Sequence, residues 1–366
     1  MNYVNEKKCN CCNMTGRYDY LELNSDGKCK FCNSFVKKDI KKLEQLIKDV
    51  NLEEGEKLGV TVSGGKDSIY MWSKLVELFG KDKIVAFTFY RPILTHKLAV
   101  ENLKNANQLL ESELVIVKED DAFKRFYNNL SILLKKPDPA MVRVLLCSGC
   151  RYGITERLYL EGKKMGINKF ISGASYMELA PFKEELLEAK SEKGDINEGF
   201  ENGLKLYPEL DFDDNLFVIR RDQKYKYKNN DTLGNNLHDI RKKYQLFDFD
   251  DYSEYIPDQI ERTVKQQLGW QCSERSWHFD CLVEEFKDVF YFGILGYTEL
   301  DFKYASMVRY GLMSLEESEE KIKKSNYEIQ HSFSKMKNLF CELGMEELLD
   351  DLKNFYITSK YLVWEN

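Results

Sequence analysis

The feature that most constrains this chain is one unbroken run: Lys57-Leu-Gly-Val-Thr-Val62, then Ser63-Gly64-Gly65-Lys66-Asp67-Ser68, then Ile69 to Phe79. Residues 57–62 are apolar and partly β-branched, which predicts a buried strand, and 69–79 carry apolar side chains at helical spacing. A tight loop with two glycines between them lets the backbone approach a ligand closely. Its successive N–H groups, at a helix N-terminus, form a nest for an anion. Ser63, Ser68 and Lys66 add donors for phosphate oxygens. Asp67 would be out of place in a plain phosphate loop, but fits if Mg²⁺ bridges it to pyrophosphate. The run does not match the pattern G-x-x-x-x-G-K-[ST].

The same alternation continues along the chain. Strands are expected at 84–90, 113–118 and 169–173, and helices at 95–110, 122–134 and 152–165. Strands alternating with helices at these intervals predict an α/β fold with a doubly wound parallel sheet. The ligand then sits at the carboxyl ends of the strands, lined by residues after Tyr90 and by Gly173 to Ser175. A connecting helix is expected over 35–50 and another over 258–267, and residues 314–364 read as mostly amphipathic helix. Residues 184–203 are acidic and read as surface. Three segments follow: 1–45, rich in cysteine; 46–200, the strand–helix repeat; and 201–366, mainly helical.

Cys9/Cys12 and Cys29/Cys32 are C-x-x-C knuckles flanking residues 13–28. Two thiolates on each tight turn can converge tetrahedrally on one Zn²⁺, so a zinc-ribbon-like segment is expected, with Cys11 spare or exchanging with a neighbour. A site closed by four cysteines leaves no open position, so its role reads as structural, the metal replacing a core. A further C-x-x-C, Cys147/Cys150, is read as lying at a helix start, where thiol pKa falls and thiolate or metal ligation is favoured. Plain apolar packing of those two cysteines is the alternative. Ten cysteines in a chain without a secretory signal at Met1 to Lys8 point to metal or redox chemistry rather than disulfides.

Charge bears on partners. Acidic residues number 61 against 54 basic, for a net charge of −7, with both signs mixed along the chain. That balance disfavours a nucleic-acid substrate. No apolar run approaches the roughly 18 residues of a membrane span, so a cytoplasmic protein is expected. The clearest basic cluster is Arg220, Arg221, Lys224, Lys226 and Lys228. It would suit an anionic substrate such as a sugar nucleotide, or be a solvated strand face. With four histidines in the chain, His278 is the candidate acid or base, or a satisfied core residue.

Ser63 to Ser68 resemble the S-G-G-x-D-S signature of the PP-loop, or adenine nucleotide α-hydrolase, superfamily, which has a Rossmann-like fold. Along the whole chain the closest resemblance is to the N-acetyl sugar amidotransferase family. It rests on the paired N-terminal cysteines, the loop, Cys147-Ser-Gly-Cys150-Arg-Tyr-Gly153-Ile154, Leu268-Gly-Trp270, His278-Phe-Asp280, and Ser306 to Glu317 with Gly311, Met313 and Ser314. The chain departs from that family in having Cys281 where serine is usual. It also reads Glu299-Leu-Asp301-Phe-Lys303-Tyr304 where the family has a basic cluster with a histidine.

The resemblance implies ATP as co-substrate, cleaved to AMP and pyrophosphate at residues 63–68, with adenine contacts near Thr88 to Tyr90. AMP transferred to a carbonyl or amide oxygen turns it into a leaving group. Either ammonia replaces that oxygen, making an acetamidine with a separate glutaminase subunit as partner, or sulfur does. In the sulfur case Cys147 and Cys150 carry a persulfide or, with Cys272 or Cys281, ligate a [4Fe–4S] cluster. The acceptor is then a small molecule or carrier-bound. A non-catalytic nucleotide-binding scaffold is the third reading, and a homo-oligomer stays open.

Overall fold

The computed structural model describes residues 7–152, 154, 157–173, 175–210, 225–226, 232–233, 244–273 and 278–365. Its centre is a parallel sheet of five strands: β1 (Leu58–Thr61), β2 (Ile84–Tyr90), β3 (Glu113–Lys118), β4 (Lys169–Ser172) and β5 (Gln245–Asp248). The spatial order is β3-β2-β1-β4-β5, with Val60 beside Ala86 and Ile171. Order reverses between β1 and β4, which opens a crevice at their carboxyl ends. β2 and β3 have the expected bounds. The fifth strand comes from the segment after residue 200, where a four-residue run gives too little periodicity to be seen.

Both faces of the sheet are covered, as the doubly wound class requires. Leu58, Val60, Ile84 and Ala86 pack with α2 (Lys66–Phe79), α3 (Lys97–Leu110) and α9 (Pro257–Leu268). Val85, Phe87, Phe89 and Phe170 pack on the other face with α6 (Leu158–Lys164) and Tyr244. Phe170 fits there because Gly59 has no side chain: a Cβ at Gly59 would lie 2.3 Å from its ring.

A second core joins the cysteine-rich segment to the helices α4 (Ala122–Lys135), α5 (Pro139–Tyr152), α7 (Phe182–Glu188) and α8 (Ile196–Leu204). It continues through α10 (Val283–Leu295), α11 (Glu299–Arg309), α12 (Leu315–Gln330), α13 (Phe333–Glu342) and α14 (Leu349–Thr358). Among the described residues no helix is long and apolar enough to cross a membrane.

Three expectations are corrected. The helix expected over 35–50 exists only as α1 (Gln45–Val50). Lys37, Lys38, Lys41 and Lys42 would stack like charges at helical spacing; Lys38 instead pairs with Asp251 at 2.7 Å and Lys41 with Asp49 at 2.7 Å. The acidic stretch 184–203 is not merely surface: α8 buries Gly199, Phe200 and Gly203, and Leu186 and Leu187 of α7 pack against the second core. Cys147 and Cys150 close α5 rather than opening a helix. Asp138, whose carboxylate accepts the Ala140 N–H at 3.0 Å, starts that helix at Pro139.

Candidate active site

The loop after β1 is built around Gly64. Its φ is +90°, and a Cβ there would lie 2.3 Å from the Ala99 carbonyl oxygen of α3, so only glycine fits. The Gly64 carbonyl accepts from buried Trp270 Nε1 at 3.0 Å, and the Asn102 amide lies 3.4 Å away. Ser63 and Ser68 face each other, their hydroxyls 3.3 Å apart, and the Ser63 N–H donates to Ser68 Oγ at 3.2 Å. Gly65 is the N-cap of α2, so the first N–H groups of that helix have no side-chain cap.

Lys66 is buried at the start of α2. Its Nζ donates to Asp67 Oδ1 at 2.7 Å and to Tyr255 Oη at 3.1 Å. Carboxylates crowd this point. Asp250, just past β5, accepts the Tyr176 N–H at 2.8 Å. Burial, with Asp67 and Glu178 nearby, pushes its pKa up to about 6, although the Tyr176 bond and Lys38 oppose this. Burial also raises the Tyr255 phenol, reinforced by Asp67, Glu178 and Asp250. Thr88 is buried and pairs with Ile116, while Tyr90 is half-buried beside Lys118. Strand alternation puts both on the face of Ile84 and Ala86. Gly173 follows β4, and a Cβ there would lie 3.1 Å from Met71 Sδ of α2.

The C-terminal half closes over this edge. Thr95 and Cys281 form an antiparallel bridge, the His96 N–H donates to Asp280 O at 3.1 Å, and the Leu282 N–H donates to Leu94 O at 3.0 Å. This pairing carries Asp280 to the loop, where it accepts from Ser63. Burial raises its carboxyl pKa, opposed by His278, Arg91 and that bond. His278, at φ +49°, sits between Glu178 Oε2 at 3.1 Å and Glu284 Oε1 at 3.3 Å. Burial alone would push the imidazole down; the Glu284 and Glu178 carboxylates outweigh it and hold the pKa up at about 10. The two carboxylates thus favour the imidazolium over the free base. The ionic chain continues from Glu284 to Lys287 at 2.8 Å, to Glu299 at 3.2 Å and to Lys183 at 2.7 Å.

Arg91, the first residue past β2, is buried, and its Nη1 donates to Cys281 Sγ at 3.5 Å. Its guanidinium also faces Cys150 and Asp280. Cys147 lies in the field of Lys287, Cys281 and Cys150. The lowered thiol pKa expected for the pair is corrected: burial pushes Cys147 up to about 12 and Cys150 up to about 11, although Lys287 and Arg91 pull the other way. Cys272 packs against the other core, near Lys265 and Glu261, away from these three.

At the N-terminus, the Sγ atoms of Cys9, Cys12, Cys29 and Cys32 all lie within 4.8 Å of one another. Cys9–Cys32 is 3.6 Å and Cys12–Cys29 is 3.7 Å. A tetrahedron of Zn–S bonds of about 2.3 Å has edges near 3.8 Å, so the thiols are spaced for such an ion. The Cys29 thiol is held down to about 5, chiefly by its hydrogen bond with Cys12. The Cys29 N–H and Cys11 N–H both donate to Cys9 Sγ, at 3.2 and 3.4 Å. Arg309 Nη1 donates to Cys12 Sγ at 3.4 Å and offsets the negative charge.

Sequence reading missed Asp250, Tyr255, Glu178 and Lys303. Arg91 falls among the residues after Tyr90 that the switch-point rule places at the site, although it was not singled out. Arg220, Arg221, Lys224, Lys228 and Gly153 lie outside the described residues, and Lys226 is described in its backbone alone.

Fold and loop define a class: a parallel α/β sheet whose first strand delivers a glycine-rich loop to the switch point. The chain is similar to the structure of NMN synthetase from Francisella tularensis, with 12% identity, 76% of this chain and 88% of that one covered, and a TM-score of 0.37. It is also similar to the U34-tRNA thiolase NcsA from Methanococcus maripaludis with its [4Fe-4S] cluster, with 14% identity, 87% and 88% covered, and a TM-score of 0.35. No protein-family model and no curated protein matches the chain. At those TM-scores neither likeness bears on the chemistry, which rests on residues 63–68 and their surroundings.

Proposed function

We propose that this chain is a PP-loop ATP pyrophosphatase that adenylates a carbonyl or amide oxygen of a small or carrier-bound acceptor, releasing pyrophosphate. Ammonia, delivered by a separate glutaminase subunit, then replaces that oxygen, as the resemblance to N-acetyl sugar amidotransferases implies. One observation carries the reading: the Ser63–Ser68 loop, held open at Gly64 by Trp270 and Ala99, at the carboxyl end of β1. Backbone amides of this loop, Ser63, Ser68 and Lys66 bind the two terminal phosphates and stabilise charge developing at the α–β bridge. Asp67 and Asp250 would hold Mg²⁺, which neutralises phosphate charge when bound. Cys9, Cys12, Cys29 and Cys32 would hold a structural Zn²⁺. Held between Glu178 and Glu284, His278 would orient the acceptor.

Sulfur transfer is the second reading, favoured by Arg91 donating to Cys281 and facing Cys150. Cys147, Cys150 and Cys281 would then hold a [4Fe–4S] cluster, which supplies an open iron position for sulfur.

Incubation with ATP and the acceptor is expected to give AMP and pyrophosphate in equal amounts; ADP would sink the assignment. Metal analysis of anaerobically purified protein separates the two readings. Zinc near one equivalent supports nitrogen, whereas additional iron and sulfide support sulfur.

A further inference from the structure

α11 is buried along nearly its whole length and joins two distant places. One face meets the cysteine-rich segment. The ring of Phe302 lies 5.1 Å from Tyr18 and 6.1 Å from Phe31, and Arg309 reaches Cys12. The other face meets the crevice. Glu299 is ion-paired to Lys183 and Lys287, Ser306 Oγ donates to Met177 Sδ at 3.6 Å, and Lys303 Nζ lies 3.5 Å from Glu178 Oε1. Glu178 in turn holds His278.

Lys303 is 5% exposed, as is Lys66. Burial pushes its pKa down to about 8, against the pull of Glu178; Lys66 adds to the fall and Asp67 of the loop resists it. Two buried ammonium groups within reach of the same carboxylates repel each other, and an arriving polyanion would relieve both. Nothing in the loop's own sequence requires this second lysine. It comes from a helix far along the chain, and the packing of Phe302 and Arg309 fixes where it points.

We propose that Lys303 is a second phosphate-binding cation of this site, contacting the pyrophosphate end of a bound nucleotide alongside Lys66. This rests on the reading of residues 63–68 as the pyrophosphate cradle. Lys66 and Lys303 then approach the phosphates from the sheet and from the C-terminal helices, so nucleotide bridges the two halves.

The test is titration calorimetry of the full-length, metal-replete protein with inorganic pyrophosphate, ATP and AMP, each with Mg²⁺. A charge-assisted hydrogen bond is worth about 1.5–3 kcal/mol, which corresponds to roughly 10- to 100-fold in affinity. K303M is expected to weaken pyrophosphate and ATP by that factor while leaving AMP within about twofold, and K303R to restore most of the loss. Pyrophosphate binding by K303M at wild-type strength would overturn the inference alone. Equal losses for AMP and pyrophosphate would also overturn it, because they indicate a structural role. A wild-type protein that binds neither pyrophosphate nor ATP removes the cradle, and Lys303's role with it.

Discussion

Gly64→Ala tests the loop most sharply, because a neighbouring glycine separates two effects. Gly64 and Gly55 both lie at left-handed φ, +90° and +81°. A side chain at Gly55 meets nothing within 4 Å, whereas at Gly64 it lies 2.3 Å from the Ala99 carbonyl oxygen and 2.8 Å from its carbon. Both alanine variants bear backbone strain of about 1–2 kcal/mol. G64A must also push α3 away from the loop, an overpacking cost of about 1–3 kcal/mol. Displacing α3 would drag Asn102, whose amide donates to Gln271 O at 2.6 Å, and so loosen Trp270. Urea unfolding followed by tryptophan emission reads this well, since Trp72 is fully buried in the same core. With m near 3 kcal/mol/M, the G64A midpoint should fall about 0.3–1 M below that of G55A. AMP release from ATP should vanish in G64A and persist in G55A. Equal midpoints for the two variants would show that the loop does not press on α3, and the account of Gly64 would fail.

His278 should remain an imidazolium through neutral pH. Because its folded pKa is raised to about 10, its contribution to stability is complete below the unfolded value of about 6.5 and is lost as pH rises through 10. Nitrogen NMR of the ring checks this, and titration near 6.5 would contradict it. Trp270→Phe removes the donor to the Gly64 carbonyl and should cost about 1–2 kcal/mol in unfolding free energy, with lower affinity for pyrophosphate. A mercurial titration of the native protein should release about one equivalent of zinc. C12S should hold far less metal and R309Q should lose it faster to a chelator, while release at the wild-type rate would deny Arg309 its part in the cluster.

The loop was legible because its chemistry is local. Strand, glycines, Lys66, Asp67 and helix follow one another, and β2 and β3 repeat the period cleanly. The cysteine cluster was legible for the same reason, through spacing alone. What could not be read was everything assembled across distance. Lys37 to Lys42 look helical by apolar period, and only the carboxylates of Asp49 and Asp251 show why they are not. Cys147 and Cys150 were misread because the start of α5 depends on Asp138 and Pro139, well upstream of the motif. His278 was a bare candidate because its flanking carboxylates, Glu178 and Glu284, come from two other elements. Lys303 lies in a segment that the sequence marked only as a departure from the family's basic cluster, and its burial beside Glu178 could not be read there.

The pairing of Lys169–Ser172 with Gln245–Asp248 limits how this molecule can be divided. A fragment stopping at about residue 200 would keep the glycine loop but leave β4 with a bare row of amides and carbonyls. It would also lose Trp270 and Asp280 from the crevice. Such an exposed border invites other chains to add to it. Truncation should therefore give multimers or precipitate rather than a small nucleotide-binding module.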